Sequence, residues 1–287
     1  MRALADFVMR GRAQAILVAV LGILMPFFAW VSTGVVGLVA LRRGGRDGFL
    51  VFAWSLLAAF AVFMWRGDIG PATALAGTMV AALVLRWSVS WPHALLAASI
   101  VGALSSLLLL TVGSGYVEKL LALLNPMFDE LRRQMPAGQG AAIGALSAAQ
   151  VSGLLGFRTV CAAVAGLLLA RWWQAGLYNP GGFREEFHRL RLPLPLALGL
   201  VVAIALTLLP GVEYRVWALI FAVPFVVAGF ALVHGVVGLK GWGRGPLVVL
   251  YVAWLLLWEL VTIALLLLAL FDSGWDFRGR LRASKPQ

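Results

Sequence analysis

The chain has 287 residues, of which 62% are apolar and only 12% charged, and its mean hydropathy is +0.95. Soluble domains run near 45–50% apolar and 25% charged, so this composition excludes a soluble globular protein, a disordered chain and a collagen. Lysine and arginine number 23 against 12 acidic residues. Because the basic residues fall between apolar runs, they read as topology determinants and headgroup contacts, not as a nucleic-acid footprint.

Arg2, Arg10 and Arg12 precede an apolar run that starts at Ala13. The pattern is similar to a signal peptide, but no small-x-small cleavage site follows, so it reads as an uncleaved first helix. The apolar runs are 13–41, 49–65, 71–86, 92–112, 145–172, 194–210, 216–239 and 246–271. None alternates with period two, which excludes a barrel. The expected fold is an all-α polytopic transmembrane bundle of eight or nine helices in one domain, 1–287.

Run 13–41 is too long for one upright span and carries Pro26 near its middle. Two short helices, 13–25 and 29–41, are expected, with one kinked helix as the alternative. This hairpin puts thirteen lysines and arginines in inner segments and five (Arg66, Lys119, Arg132, Arg133, Arg215) in outer loops. That bias orients the bundle in a bacterial inner membrane. The tail disagrees, because nine helices would leave Arg278, Arg280, Arg282 and Lys285 outside. Either one run is not a simple span or the last helix re-enters. Trp65, Trp87, Trp91, Trp172, Trp173, Trp217, Trp242 and Trp275 lie near expected span ends and read as interface anchors.

Two segments are not expected to span. Residues 115–139 have apolar positions at helical spacing among charged ones and form an outer amphipathic helix, interrupted near Asn125-Pro126. It reads as a cover for the bundle edge or as a lid. In 176–193, Asn179-Pro180-Gly181-Gly182 is a turn, after which Phe183, Phe187 and Leu190 share one face of a short cytoplasmic helix. Phe183, Arg184, Glu185, Phe187 and Arg189 are the candidate docking residues for a cytoplasmic or membrane protein partner. In 141–172, small residues recur every fourth position (Ala141, Ala145, Ala149, Gly153 and Gly144, Ala148, Ser152, Gly156), which marks a helix central to the bundle or a dimer face.

The ionisable residues inside apolar runs are Arg158, His234 and Glu259. Such groups cost roughly 2.5–3.5 kcal/mol at mid-membrane by insertion scales, so they should face inward. Arg158 and Glu259 are expected to pair, with Gln150 nearby. Trp54, Trp254 and Trp258 would wall a small-ligand pocket, and His234 is a further candidate. The plainer readings are a register-fixing ion pair, or Arg158 reaching toward the outer headgroups. Cys161 is the lone cysteine. No Cys/His metal spacing, Walker A, HExxH or GxSxG occurs, so no cofactor, metal or enzymatic activity is expected. TVGSGY at 111–116 ends a full helix and lacks the context of a potassium filter. GWGRGP at 241–246 is a cytoplasmic turn.

RWWQAGLYNPGGFREEFHRLRLP at 171–193 and LLALFDSGWDFRGRLR near the C-terminus, with Asp272 and Asp276 followed by Arg278, resemble the YybS-like family of uncharacterised bacterial integral membrane proteins. The family brings no catalytic residues. The short first hairpin is also similar in architecture to the substrate-binding S components of energy-coupling-factor transporters. That likeness implies a small-ligand-binding transport component. The alternative is a non-enzymatic scaffold or assembly factor that recruits a partner through 176–193 and the tail.

Overall fold

The computed structural model describes residues 1–25, 27–135 and 144–283. Fourteen α-helices account for nearly all of them: α1 (Arg2–Arg10), α2 (Arg12–Leu24), α3 (Ala29–Arg43), α4 (Gly45–Arg66), α5 (Gly70–Ser88), α6 (Trp91–Thr111), α7 (Ser114–Gln134), α8 (Ala148–Tyr178), α9 (Gly182–Arg189), α10 (Leu194–Leu208), α11 (Ala218–Lys240), α12 (Gly245–Leu256), α13 (Trp258–Trp275) and α14 (Phe277–Ala283). A 3-10 turn, Val212–Trp217, leads into α11.

By length and composition, five helices can cross a membrane: α4, α6, α8, α11 with its preceding turn, and α13. This is fewer than the eight or nine expected, because α2 and α3 are short, α5 is not among the helices that pass, and α9 meets α10 at a 68° bend. Run 13–41 is two helices, as its proline predicts. They fold back on each other, and the Ser32 hydroxyl donates to the Ala19 carbonyl at 2.6 Å. Pro26 lies outside the described residues.

Helix α8 is the axis of the bundle. Its small residues let three neighbours approach. Gly156 faces Gly102 of α6, Gly166 faces Thr33 of α3, and Ala163 faces Gly77 of α5. Close backbone approach of this kind replaces side-chain interlock with dispersion contacts. Ala141 lies outside the described residues, and Ala145 precedes the helix. The N-terminus of α8 is closed by a capping box in which Ser147 and Gln150 satisfy each other's backbone amides.

The paired residues also fix helix directions. Thr33 lies beside Gly166 and Gly37 beside Ala170, so α3 runs with α8. Gly102 beside Val160 and Ser106 beside Gly156 set α6 against it. Ser99 donates to the Ile220 carbonyl at 3.0 Å, which places α11 beside α6.

Run 246–271 is not one helix. It breaks at Leu257 (φ −126, ψ 45) into α12 and α13. Tyr251 hydrogen-bonds His234 at 2.9 Å, and Trp254 meets Phe230 edge-on, so α12 runs opposite to α11. Leu265 lies against Gly229 and Arg278 against Gly235, so α13 runs with α11. The pair is therefore a hairpin that leaves from and returns to the same end of the bundle. The tail lies at the end of Lys240 and Arg244, which removes the conflict in the sequence charge count.

Helix α7 crosses the opposite end. It is continuous through Pro126, so the expected interruption is absent. Asn125 instead grips the backbone at Leu146, accepting from its amide at 2.8 Å and donating to its carbonyl. Residues 136–139 of the expected segment lie outside the described residues. Two of the expected interface tryptophans are core residues: Trp173 is 2% exposed and Trp91 5%. They sit deep because α3 and α9 close over them. Gly34 of α3 abuts the Trp173 ring, and Phe183 of α9 packs on Trp91 at 6.3 Å.

Candidate functional site

The expected intramembrane pair does not form. Arg158 donates to Asp68 at 2.8 Å, in the link between α4 and α5, and both side chains are about half exposed. Only the absence of a Cβ at Gly70 lets the Arg158 guanidinium cross to Asp68. Arg158 therefore lies level with the α4–α5 link, because α8 runs on past the start of α5. Burial pushes the neighbouring Tyr116 phenol up, against a hydrogen bond with the Ile69 backbone.

Glu259 is exposed in the first turn of α13, at the hairpin tip, beside Trp258, which is 66% exposed. The break at Leu257 moved it from mid-helix to a helix start, where a carboxylate suits the dipole. Trp254 donates to the Thr262 hydroxyl at 3.0 Å, and Trp54 is exposed on α4. Gln150 is used in the α8 cap. Trp258 and Glu259 border one open hollow of about 460 Å³ at the hairpin tip, but Arg158, Trp54 and Gln150 lie elsewhere and do not line it.

The docking set divides. Phe183 and Phe187 stack at 5.8 Å and turn inward against Trp91 and His234, so they hold α9 to the bundle and are not free for a partner. Arg184, Glu185 and Arg189 stay exposed, with Glu185 and Arg189 3.8 Å apart one turn on. Gly181 supplies the left-handed residue (φ 91) that starts α9.

The polar centre of the molecule lies at this end and was not among the expected site residues. Asp272 and Arg278 pair at 2.7 Å with side chains 3% and 4% exposed. Arg278 also donates to the His188 carbonyl at 2.9 Å, and Asp272 accepts from the Phe277 amide at 3.0 Å. Arg191 donates to the carbonyls of Asp272 and Ser273 and lies 3.3 Å from Asp276. Three chain segments, α9 with its exit, the end of α13, and α14, are thereby tied into one block. Such a pair is costly to leave half-made in low dielectric, and here each member has a further hydrogen bond besides the pair itself.

On the other side of α9, Glu186 takes a two-pronged contact from Arg171, with Nε at 2.8 Å. Arg86 donates to the Leu41 carbonyl in the last turn of α3 at 2.5 Å.

Between α9, the end of α11 and the turn into α12 lies a cleft of about 530 Å³, bordered by Arg184, His188, His234 and Arg244. Glycines 235 and 238 let α9 settle on α11, because a Cβ at 238 would stand 2.7 Å from the His188 ring. Burial, then the charges of Arg184, His234 and Arg278, hold the His188 imidazole below its ordinary value, so it is neutral near pH 7. An apolar slot of about 660 Å³ lies on the adjoining flank of α11, inside the hairpin. No group of three or more metal-ligating side chains occurs among the described residues.

No protein family, curated protein or solved structure matches the chain. The family and S-component resemblances gain no support from these comparisons.

Proposed function

We propose that the chain is a multi-pass protein of the bacterial inner membrane, with both termini cytoplasmic, and that it serves as a non-enzymatic scaffold holding a protein partner at its cytoplasmic end. In this reading α2, α3, α4, α5, α6, α8, α10 and α11 cross the bilayer, and the α12–α13 hairpin re-enters. The alternation of helix directions and the collection of Arg43, Arg86, Arg171, Lys240 and Arg278 at one end support that topology.

One observation carries the scaffold reading. The buried Asp272–Arg278 pair, with Arg191, welds the α9 segment and the tail into a fixed block, and Arg184, Arg189, Arg280 and Arg282 project from it. A rigid presentation of charges lowers the ordering cost of docking. A transport component would need its polar residues around a shared cavity. Arg158 is instead paired with Asp68 and Trp54 is exposed on α4, both apart from Trp254, Trp258 and Glu259 at the hairpin tip.

The test uses the full chain in cell membranes. Single cysteines at Lys240 and Arg282, in a Cys161→Ala background, should react with an impermeant reagent only in inverted vesicles, and one at Arg66 only in right-side-out cells. Photo-crosslinkers at Arg184 and Arg189 should give one discrete adduct absent from Arg132 and Arg133. Labels on opposite faces for Lys240 and Arg282, or no site-specific adduct, overturn the reading.

A further inference from the structure

The cleft and the slot at the end of α11 adjoin each other, and Val237 borders both. They differ sharply in chemistry. The cleft is bordered by Arg184, His188, His234 and Arg244, and no carboxylate lines it. The nearby acid Glu185 is turned to Arg189, and Glu186 is taken by Arg171. The slot is almost wholly apolar. Val233 and Val236 of α11, Pro246 of α12 and Leu268 of α13 form its walls, and Trp242 and Arg280 stand at its rim. Its volume of about 660 Å³ is on the scale of a lipid acyl chain, and it is an open groove bordered by α11 and by residues of both α12 and α13. Helix α12 has no buried residue, so the protein itself does not fill this gap.

We propose that this paired cleft and slot bind one anionic phospholipid, its phosphate between Arg184 and Arg244 and one acyl chain between α11 and the α12–α13 hairpin. Arginine suits this position because its planar fork takes two phosphate oxygens at once. The tryptophan ring of Trp242 suits the boundary between headgroup and chain. The lipid would close the hairpin against α11 and so complete a bundle in which α12 and α13 otherwise meet α11 mainly along α13.

This inference rests on the membrane topology proposed above, and its test separates the two. The full chain, purified in detergent, is mixed with phosphatidylglycerol or phosphatidylcholine, and bound lipid is counted by native mass spectrometry. The wild type should hold one phosphatidylglycerol in preference to phosphatidylcholine. Removing both cations (Arg184→Gln with Arg244→Gln) should weaken that adduct roughly thirtyfold. Arg132→Gln with Arg133→Gln, at the opposite end, should not. Val236→Trp, which fills the slot, should also remove the adduct, and inorganic phosphate should not displace it. Equal retention of both lipids, or retention unchanged by Arg184→Gln with Arg244→Gln, overturns the proposal. So does displacement by inorganic phosphate with no effect of Val236→Trp, which would mean a phosphate site without an acyl chain. If the arginine variant does not fold, as judged by gel filtration, the wild-type preference and Val236→Trp decide. Correct cysteine labelling with no lipid preference sinks this inference alone, whereas wrong labelling sinks the topology.

Discussion

Replacing Asp272 by alanine strands a buried guanidinium. Arg278 is 4% exposed, and its one carboxylate partner lies 2.7 Å away. The His188 carbonyl remains as an acceptor but brings no charge. Breaking one side of a buried pair typically costs about 3–5 kcal/mol. A domain's whole stability is about 5–15 kcal/mol, so the loss is a large fraction. The Phe277 amide also loses its acceptor, so the start of α14 should loosen. Unfolding in mixed micelles, followed by circular dichroism, measures the loss, and limited proteolysis reports release of the tail. The double variant Asp272→Ala with Arg278→Leu removes both charges and should recover part of the single variant's loss. A cost under about 1 kcal/mol for Asp272→Ala, or a double variant as costly as both singles together, would refute the argument that burial and charge together make this pair.

Four further outcomes are expected. A double-mutant cycle on Arg158 and Asp68 should give a coupling of about 0.2–1 kcal/mol, as for exposed pairs, and one on Arg158 and Glu259 should give none. Gly156→Val should destabilise by about 1–3 kcal/mol in the same unfolding assay, because its new side chain meets Ser106 and the Gly102 carbonyl at 2.6 Å. His188 has a lowered folded pKa, so the unfolded chain takes up a proton first on acidification. Stability should therefore fall as pH drops below about 6.5, and His188→Gln should flatten that slope; an unchanged slope would remove the effect of burial, and then of Arg184, His234 and Arg278, on this ring. Arg158 and Arg171 are 13 residues apart on α8, about 20 Å of helix, against roughly 30 Å of hydrocarbon in a typical bilayer. Thermal midpoints in vesicles should be higher with short acyl chains than with long ones.

The sequence made the helical fold legible because hydropathy is a property of each run by itself. The proline at 26 announced a hairpin, and the small residues from Ala148 to Gly156 announced a central helix. What it hid depends on three dimensions. Glu259 looked mid-membrane because 246–271 has no proline or glycine near Leu257; the one local sign of the turn is Glu259 itself, which sits in the first turn of α13. Trp91 and Trp173 looked like anchors because span ends and core edges coincide in sequence. Asp272 and Arg278 lie six residues apart at the end of an apolar run and read as tail charges. Only the return of α13 to the end occupied by α9 turns them into a buried pair. The one readable warning was the basic tail on the wrong side of a nine-helix count, and a hairpin in the last run answers it.

The two halves of the bundle are built on different physics. From α2 to α8, backbones approach through glycine, alanine and serine, and the described interior needs no ion pair. From α9 to α14, α11 is long and well packed, but α9 and α14 are short, α10 joins α9 at a bend, and α12 has no buried residue. Helix α11 is fixed to α6 by the Ser99–Ile220 hydrogen bond and α9 to Trp91 through Phe183, whereas α12 to α14 are held mainly by α13 on α11 and by the charged block around Arg278. A segment held by a few polar links can respond to a ligand at modest free-energy cost, whereas a close-packed interior cannot rearrange without opening voids. Binding should therefore act on the second half. The cleft beside His188, the slot behind α11 and the exposed arginines of α9 and α14 all lie there, so loosening the Asp272–Arg278 link should weaken lipid retention and partner crosslinking together, while a change at the Arg158–Asp68 end should leave both unaltered.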